Sequence, residues 1–256
     1  FFDWKSEAVM PGQPTSAPKP VTDWWKPELV SLPKLTPRRR WFRRFFRATA
    51  KLIAFFMLRV QVRGLENVPA KGPAIIVFNH LGDWDSILLA AVIPNSAECI
   101  GKVELNEHWL AGPVFRAYGF IWIHRGQPDR RAMRAALNAL TEGRMLALAP
   151  EGRQTVIGGL EEGTEGAAFL AMKSGAPIVP VALTGTENDH VDHHLRRWRR
   201  IPVSLTVGKP FLIQNQVDRQ ETIRNGTRAI MESLARLLPP ERRGLFGYVS
   251  SGRTME

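Results

Sequence analysis

The residues of this chain best suited to chemistry are His80 and Asp85, in the stretch Phe78-Asn79-His80-Leu81-Gly82-Asp83-Trp84-Asp85. A neutral imidazole beside a carboxylate is a general-base pair. The carboxylate fixes the tautomer and stabilises the imidazolium, and the other ring nitrogen takes a proton. Residues 74–78, all apolar, read as a buried strand, and residues 86–93 read as a helix packed on it. A His leaving a strand and an Asp entering a helix meet at the carboxyl edge of an open α/β sheet, where such folds place their sites. A purely structural reading also fits, with His80 closing a turn and Asp85 capping the helix.

The elements that would position this pair follow from the pattern downstream. Residues 99–102 read as a second strand, 104–115 as a short helix or loop, and 120–125 as a third strand. Asp129 opens a helix that ends near Gly143, 145–149 is a fourth strand, and 166–174 is a small-residue helix closed by Gly175. Residues 178–183 and 203–207 are two further strands, and 217–238 a closing helix interrupted near Gly226. Strands alternating with helices give an α/β fold: a mainly parallel sheet with helices on both faces. Polar residues then gather at the strand ends: His80 and Asp85 after the first, Lys102 at the second, Arg125 at the third, Glu151 and Arg153 after the fourth. Several cations around a His/Asp pair make a pocket for an anion, most simply a phosphate. Gly152 would let backbone approach closely there. Any one of these cations alone would read as a solvated strand end.

The sequence has 256 residues, 44% of them apolar, enough for a large core. With 35 Lys and Arg against 24 Asp and Glu, the net charge of +11 calls for an anionic partner. A nucleic-acid binder would rest on charge alone, without a recognition motif. The single cysteine, Cys99, allows no internal disulfide and has no His at matched spacing for covalent catalysis. The sequence opens at Phe1 rather than Met, so residues upstream are expected.

Three segments are expected: 1–37, 38–62 and 63–256. The first is rich in Pro (Pro11, Pro14, Pro18, Pro20, Pro27, Pro33, Pro37) and carries Trp4, Trp24 and Trp25. It reads as a tail or as a strap laid on the body or a bilayer interface. The second reads as one amphipathic helix: Arg38, Arg39, Arg40, Trp41, Phe42, Arg43, Arg44, Phe45 and Phe46, continuing through Phe55 and Phe56. Its longest apolar run, residues 52–58, is far below the roughly 18 residues of a spanning helix. Arginines for lipid phosphates and rings for the acyl boundary suit an interfacial, not spanning, position on anionic membrane, at its cytoplasmic face. Packing on its own domain is the blander reading. His190, His193 and His194 suggest a metal, but the arginines at 196, 197, 199 and 200 would repel a cation, and a basic loop facing lipid is the better reading.

Four ordered blocks resemble the glycerolipid acyltransferase family with the His-x4-Asp motif, the family of 1-acyl-glycerol-3-phosphate acyltransferases. They are Asn79-His80-x4-Asp85; Lys102-x-Glu104-Leu105 with Pro113, Gly119 and Arg125; Pro150-Glu151-Gly152-Arg153; and Pro177-Ile178-Val179-Pro180-Val181. The likeness spans residues 64 to 210. One departure is Arg153 directly after Gly152, with Gln154 next, where the block usually reads Glu-Gly-Thr-Arg; it bears on the acceptor headgroup. The resemblance implies acyl transfer from acyl-CoA or acyl carrier protein to the hydroxyl of a lysophosphatidic acid-like acceptor, with no cofactor and no metal. It implies His80 as base, Asp85 as its partner, Lys102 and Arg153 on the acceptor phosphate, Arg125 on that anion or the donor's phosphates, and Glu151 and Gly152 shaping the site. Another acceptor (glycerol-3-phosphate, another lysophospholipid or a glycolipid) and a lipid-binding protein without turnover are the alternatives.

Overall fold

The computed structural model describes residues 18, 19, 21, 22, 25–94, 96–126 and 128–249; Trp4, Pro11, Pro14, Pro20 and Trp24 lie outside them. Seven strands form one sheet: β1 (Leu58–Arg63), β2 (Ala74–Phe78), β3 (Glu98–Lys102), β4 (Ile121–Ile123), β5 (Met145–Leu148), β6 (Ile178–Thr184) and β7 (Ile201–Val207). Their order is β1-β7-β6-β2-β5-β3-β4. Neighbours run parallel except β6 and β7, which pair antiparallel from Val181↔Val207 to Thr184↔Ser204.

The central strands are apolar on both faces because helices cover both. Along β2 the side chains alternate. Ile75 and Val77 enter the core under α4 (Arg130–Thr141), α5 (Gly166–Ser174) and α7 (Arg219–Leu237). Ala74 and Ile76 enter the core under α1 (Pro37–Met57) and α2 (Trp84–Val92). Two shorter helices, α3 (Ala111–Tyr118) and α6 (Asn188–Leu195), follow β3 and β6. Small residues let helices lie close: Gly226 sits where a Cβ would come within 3.1 Å of Ile213 and 3.2 Å of Ala168. It therefore serves packing, and α7 runs through it without the interruption its glycine suggested.

The segment 38–62 is two elements rather than one helix. α1 starts at the Thr36 cap, whose hydroxyl accepts the Arg39 N–H, with Pro37 in the first turn. It stops at Met57. The next residues, Leu58-Arg59-Val60-Gln61-Val62-Arg63, alternate apolar and polar at the period of a strand, and they pair with β7 from Leu58↔Ile201 to Arg63↔Thr206.

α1 also corrects the expected lipid-facing set. Arg43 is buried: its guanidinium forks onto Glu98 with two bonds of 2.7 Å and donates to the Tyr118 carbonyl at 2.8 Å. A charge that deep persists because each guanidinium nitrogen has an acceptor and the Glu98 carboxylate balances the charge. Arg39 turns inward and donates to the Lys34 carbonyl, while Phe42 stacks on Phe46 and Phe46 meets Tyr118 edge-on at 5.5 Å. The exposed face is Arg38, Arg40, Trp41, Arg44, Phe45, Lys51, Leu52, Phe55 and Phe56.

Candidate active site

His80 leaves β2 and Asp85 lies in the first turn of α2. The chain between them folds so tightly that one carboxylate oxygen collects three contacts. Asp85 Oδ2 lies 2.7 Å from His80 Nδ1 and accepts the backbone N–H of Leu81 at 2.7 Å and of Gly82 at 3.1 Å. Asp85 is fully buried, and His80 keeps 26% of its side-chain surface open. With Nδ1–H directed at the carboxylate, Nε2 carries the lone pair and faces outward, the arrangement a general base requires. Asn79 locks the strand below: its buried amide both donates to the Leu183 carbonyl at 3.0 Å and accepts the Leu183 N–H at 2.7 Å, tying β2 to β6. Asp83 is outside the pair and accepts from Gln154.

The loop after β5 clamps the main chain of His80 from both sides. Glu151 Oε1 accepts the His80 N–H at 3.1 Å, and the Thr155 N–H donates to the His80 carbonyl at 2.8 Å. Glu151 Oε2 accepts from the Glu161 N–H at 2.9 Å. Burial pushes the Glu151 carboxyl up to about 7, against the two backbone N–H groups that favour its ionised form. Glu151 thus holds the peptide that carries the His80 ring. Gly152 is needed for its left-handed φ of +75°, not for a close approach, since a Cβ there would meet only Thr164 at 3.5 Å.

The three cations expected around the pair are not equally placed. Arg153 is only 8% exposed; its Nε donates to Glu161 at 2.8 Å and its Nη1 to the Pro18 carbonyl at 2.9 Å. It therefore stands in a buried ion pair rather than open to a ligand. Through Glu161 and Glu151 it joins the network of His80. Lys102 is half-buried at the end of β3 and, among the described residues, has no ion pair or hydrogen bond from its side chain. Arg125 follows β4, 3.9 Å from Glu104, with a buried Nε that has no partner among the described residues. β3 and β4 are the second and third strands from β2 in the sheet order, so Lys102 and Arg125 line the same edge without touching His80.

Two features escaped the sequence reading. The first is Glu161, fully buried, which neutralises Arg153. The second is a repeat of the His80 spacing: His124 and Asp129, with His124 Nδ1 at 2.7 Å from Asp129 Oδ2. His124 is wholly buried; its Nε2 accepts the Lys26 N–H at 3.0 Å, and the Trp25 ring lies over it at 4.1 Å. The spacing was the readable signal. The chain around Trp25 is a strap along the carboxyl edge: Thr22 N–H donates to the Arg125 carbonyl at 3.0 Å, Arg125 N–H to the Thr22 hydroxyl at 2.8 Å, and Lys26 pairs with Glu107. Among the described residues, no group of three or more His, Cys, Asp or Glu could hold a metal ion.

Residues 59–184, which carry both His/Asp pairs and the Glu151 clamp, match the model of the family described as Acyltransferase. Over that stretch the chain is similar to the acyltransferase family. It is 29% identical over 159 residues to the 1-acyl-sn-glycerol-3-phosphate acyltransferase of Limnanthes alba, covering 61% of this chain and 55% of that protein. It is 29% identical over 146 residues to the alpha form of that enzyme from Homo sapiens, covering 56% of this chain and 50% of that protein. The chain thus spans about half the length of the curated relatives it matches there. Its fold is that of the crystal structure of the 1-acyl-sn-glycerophosphate (LPA) acyltransferase from Thermotoga maritima, with a TM-score of 0.60 over 78% of this chain and 80% of that one at 23% identity.

Proposed function

We propose that this chain transfers a fatty acyl group from an acyl thioester, acyl-CoA or acyl carrier protein, to the hydroxyl of a lysophosphatidic acid-like acceptor, giving phosphatidic acid. The observation that carries the reading is the open Nε2 of His80 above a buried Asp85 at 2.7 Å. His80 takes the acceptor hydroxyl proton as its oxygen attacks the thioester carbonyl carbon. The C–S bond then breaks, and the thiolate leaves with the proton from His80. Asp85 stabilises the imidazolium between these steps. Every proton is returned, so direct transfer needs no metal and no cofactor.

Lys102 supplies a cation for the acceptor phosphate, and Arg125 serves the same anion or the phosphates of the donor. Arg153 joins them when phosphate replaces the Pro18 carbonyl at its Nη1. Its pairing with Glu161 weakens its demand for an anion, which favours keeping a glycolipid or other phosphate-poor acceptor in view. Such contacts set acceptor affinity more than rate.

The exposed face of α1 supports a position for the enzyme on the membrane surface. Arg38, Arg40, Arg44 and Lys51 stand beside Trp41, Phe45, Leu52, Phe55 and Phe56. Each basic residue contributes about 1 kcal/mol on anionic lipid, and the rings bury in the acyl boundary. No helix among the described residues is long and apolar enough to cross a membrane. The reading is interfacial binding, at the cytoplasmic face because anionic lipid there attracts the basic residues. The test is to incubate purified protein with one acyl thioester and a panel of lysolipid, glycerol-3-phosphate and glycolipid acceptors, and to identify the product by mass. Phosphatidic acid from lysophosphatidic acid supports the reading; no acylated product from any acceptor makes the chain a lipid-binding protein instead.

A further inference from the structure

Trp198 has no counterpart among the other described residues. Its side chain is 98% exposed, and its φ of +54° makes it, among the described residues, the one non-glycine in the left-handed region. A bulky residue is strained there, where glycine would sit at ease. Nothing in the fold uses the indole, yet the turn that presents it is well built. After α6, the Arg196 N–H donates to the Asp192 carbonyl at 3.0 Å, the Trp198 N–H to the Leu195 carbonyl at 3.0 Å, and the Arg197 and Arg199 N–H groups to the His194 carbonyl at 3.1 Å each. Arg200 Nε then fastens the turn to the Leu58 carbonyl at 3.0 Å, where α1 passes into β1.

The surroundings say what the indole meets. Arg196, Arg197 and Arg199 are exposed around it, and the stretch 189–200 holds four arginines against two acidic residues, Asp189 and Asp192. Phe55 and Phe56, 69% and 66% exposed, end α1 at the junction that Arg200 holds. The sheet register fixes the side of the molecule. β7 runs antiparallel to β6, and β6 parallel to β2, so the start of β7 lies at the end of the sheet where β2 delivers His80.

We propose that the turn 196–200 is a second membrane anchor: the Trp198 indole enters the headgroup–acyl boundary of an anionic bilayer, the flanking arginines take lipid phosphates, and the turn, with Phe55 and Phe56, sets the His80 end of the sheet toward the lipid. This rests on the interfacial placement proposed above and adds a contact outside α1. Indoles partition to that depth, and arginines beside them gain from anionic headgroups. Rigid backbone bonds mean little ordering is needed on contact.

The test uses the full chain with Cys99→Ala and a single environment-sensitive fluorophore on Trp198→Cys, Phe55→Cys or, at the opposite end of the sheet, Lys71→Cys. Vesicles are phosphatidylglycerol or phosphatidylcholine. The label at 198 is expected to shift blue on phosphatidylglycerol together with the label at 55, and the label at 71 to stay as in buffer. In the unlabelled chain, Trp198→Gly should lower partition onto anionic vesicles about tenfold while the melting temperature holds or rises, because the strain at φ +54° is relieved. A shift at 55 without one at 198, or unchanged partition of Trp198→Gly, overturns the second anchor and leaves α1 as the membrane contact. No shift at either position overturns the membrane placement along with it. A shift at both positions in a protein that acylates nothing upholds the anchor and refutes only the proposed activity.

Discussion

Two histidines in this chain stand in the same relation to an aspartate, and they have opposite circumstances. His80 with Asp85 and His124 with Asp129 share the spacing, the Nδ1–Oδ2 contact and its 2.7 Å length. Both aspartates also accept backbone N–H groups: Asp85 those of Leu81 and Gly82 in the turn before α2, Asp129 those of Arg131 and Ala132 at the start of α4. The difference is at the far nitrogen. Nε2 of His80 is open to a substrate, whereas Nε2 of His124 is occupied by the Lys26 N–H and roofed by Trp25. A His-x4-Asp turn makes a base pair by local geometry alone; what covers the ring decides whether it is a base or a fastener. His124 fastens the strap to the carboxyl edge.

The largest expected effect separates the aspartates. Asp85→Asn should lower turnover by about 10²–10⁴ through loss of the tautomer and of imidazolium stabilisation, with native circular dichroism. Asp129→Asn should act on stability instead, costing about 1–3 kcal/mol in denaturant unfolding, because the amide keeps the oxygen that caps α4 but sets an NH2 against the buried His124 ring, which loses its acceptor. If Asp129→Asn also abolished turnover of a folded protein, the contrast between the pairs would collapse.

The carboxyl groups behind the two rings titrate in opposite directions. Burial lifts Glu151, the clamp under His80, to about 7. Burial also opposes charge on Asp129, but the Ala132 N–H and the His124 ring hold its carboxyl below the ordinary range. A raised carboxyl favours the folded state when protonated, so the Glu151 contribution is present near pH 4.5, its ordinary value, and is lost as pH rises to about 7. Glu151→Gln does not titrate, so its stability relative to the parent should rise across that window, by on the order of 1–3 kcal/mol. The Asp129 contribution is present above its ordinary pKa of 3.8 and is lost as pH falls through its lower folded value. Parallel melting curves of Glu151→Gln and parent over that window would remove the clamp from the explanation.

The smallest effect concerns the roof. Trp25→Ala loses a ring contact worth about 0.5–1.5 kcal/mol. It should make His124 reactive to an imidazole-modifying reagent that reaches only His80 of the two pairs in the parent, as peptide mass mapping would show. Protection of His124 in the variant would mean the strap holds without Trp25.

What could be read from the sequence was local. β2, the turn and α2 lie within residues 74–92, and the apolar run followed by His80 and Asp85 placed them within two residues. α5 and its closing Gly175 were read at their observed bounds. What could not be read depended on partners outside the local pattern. β1 forms because β7, more than a hundred residues later, offers an edge to Leu58–Arg63. Arg43 sits in a helix whose exposed face carries other arginines and is turned inward by Glu98, 55 positions on. Arg153 looked like a phosphate ligand because nothing in its pattern announces that Glu161 is folded against it. His124 and Asp129 had a legible spacing, but their closure comes from a backbone N–H 98 positions away.

The most direct measurement is the steady-state rate of acyl transfer to lysophosphatidic acid by His80→Ala and His124→Ala, side by side and both verified as folded. His80→Ala is expected to lose about 10²–10⁴ in kcat, and His124→Ala to keep kcat within a few-fold of the parent while melting at a lower temperature. Near-normal turnover by His80→Ala, or an equal loss in both variants, would contradict the assignment of His80 as the base.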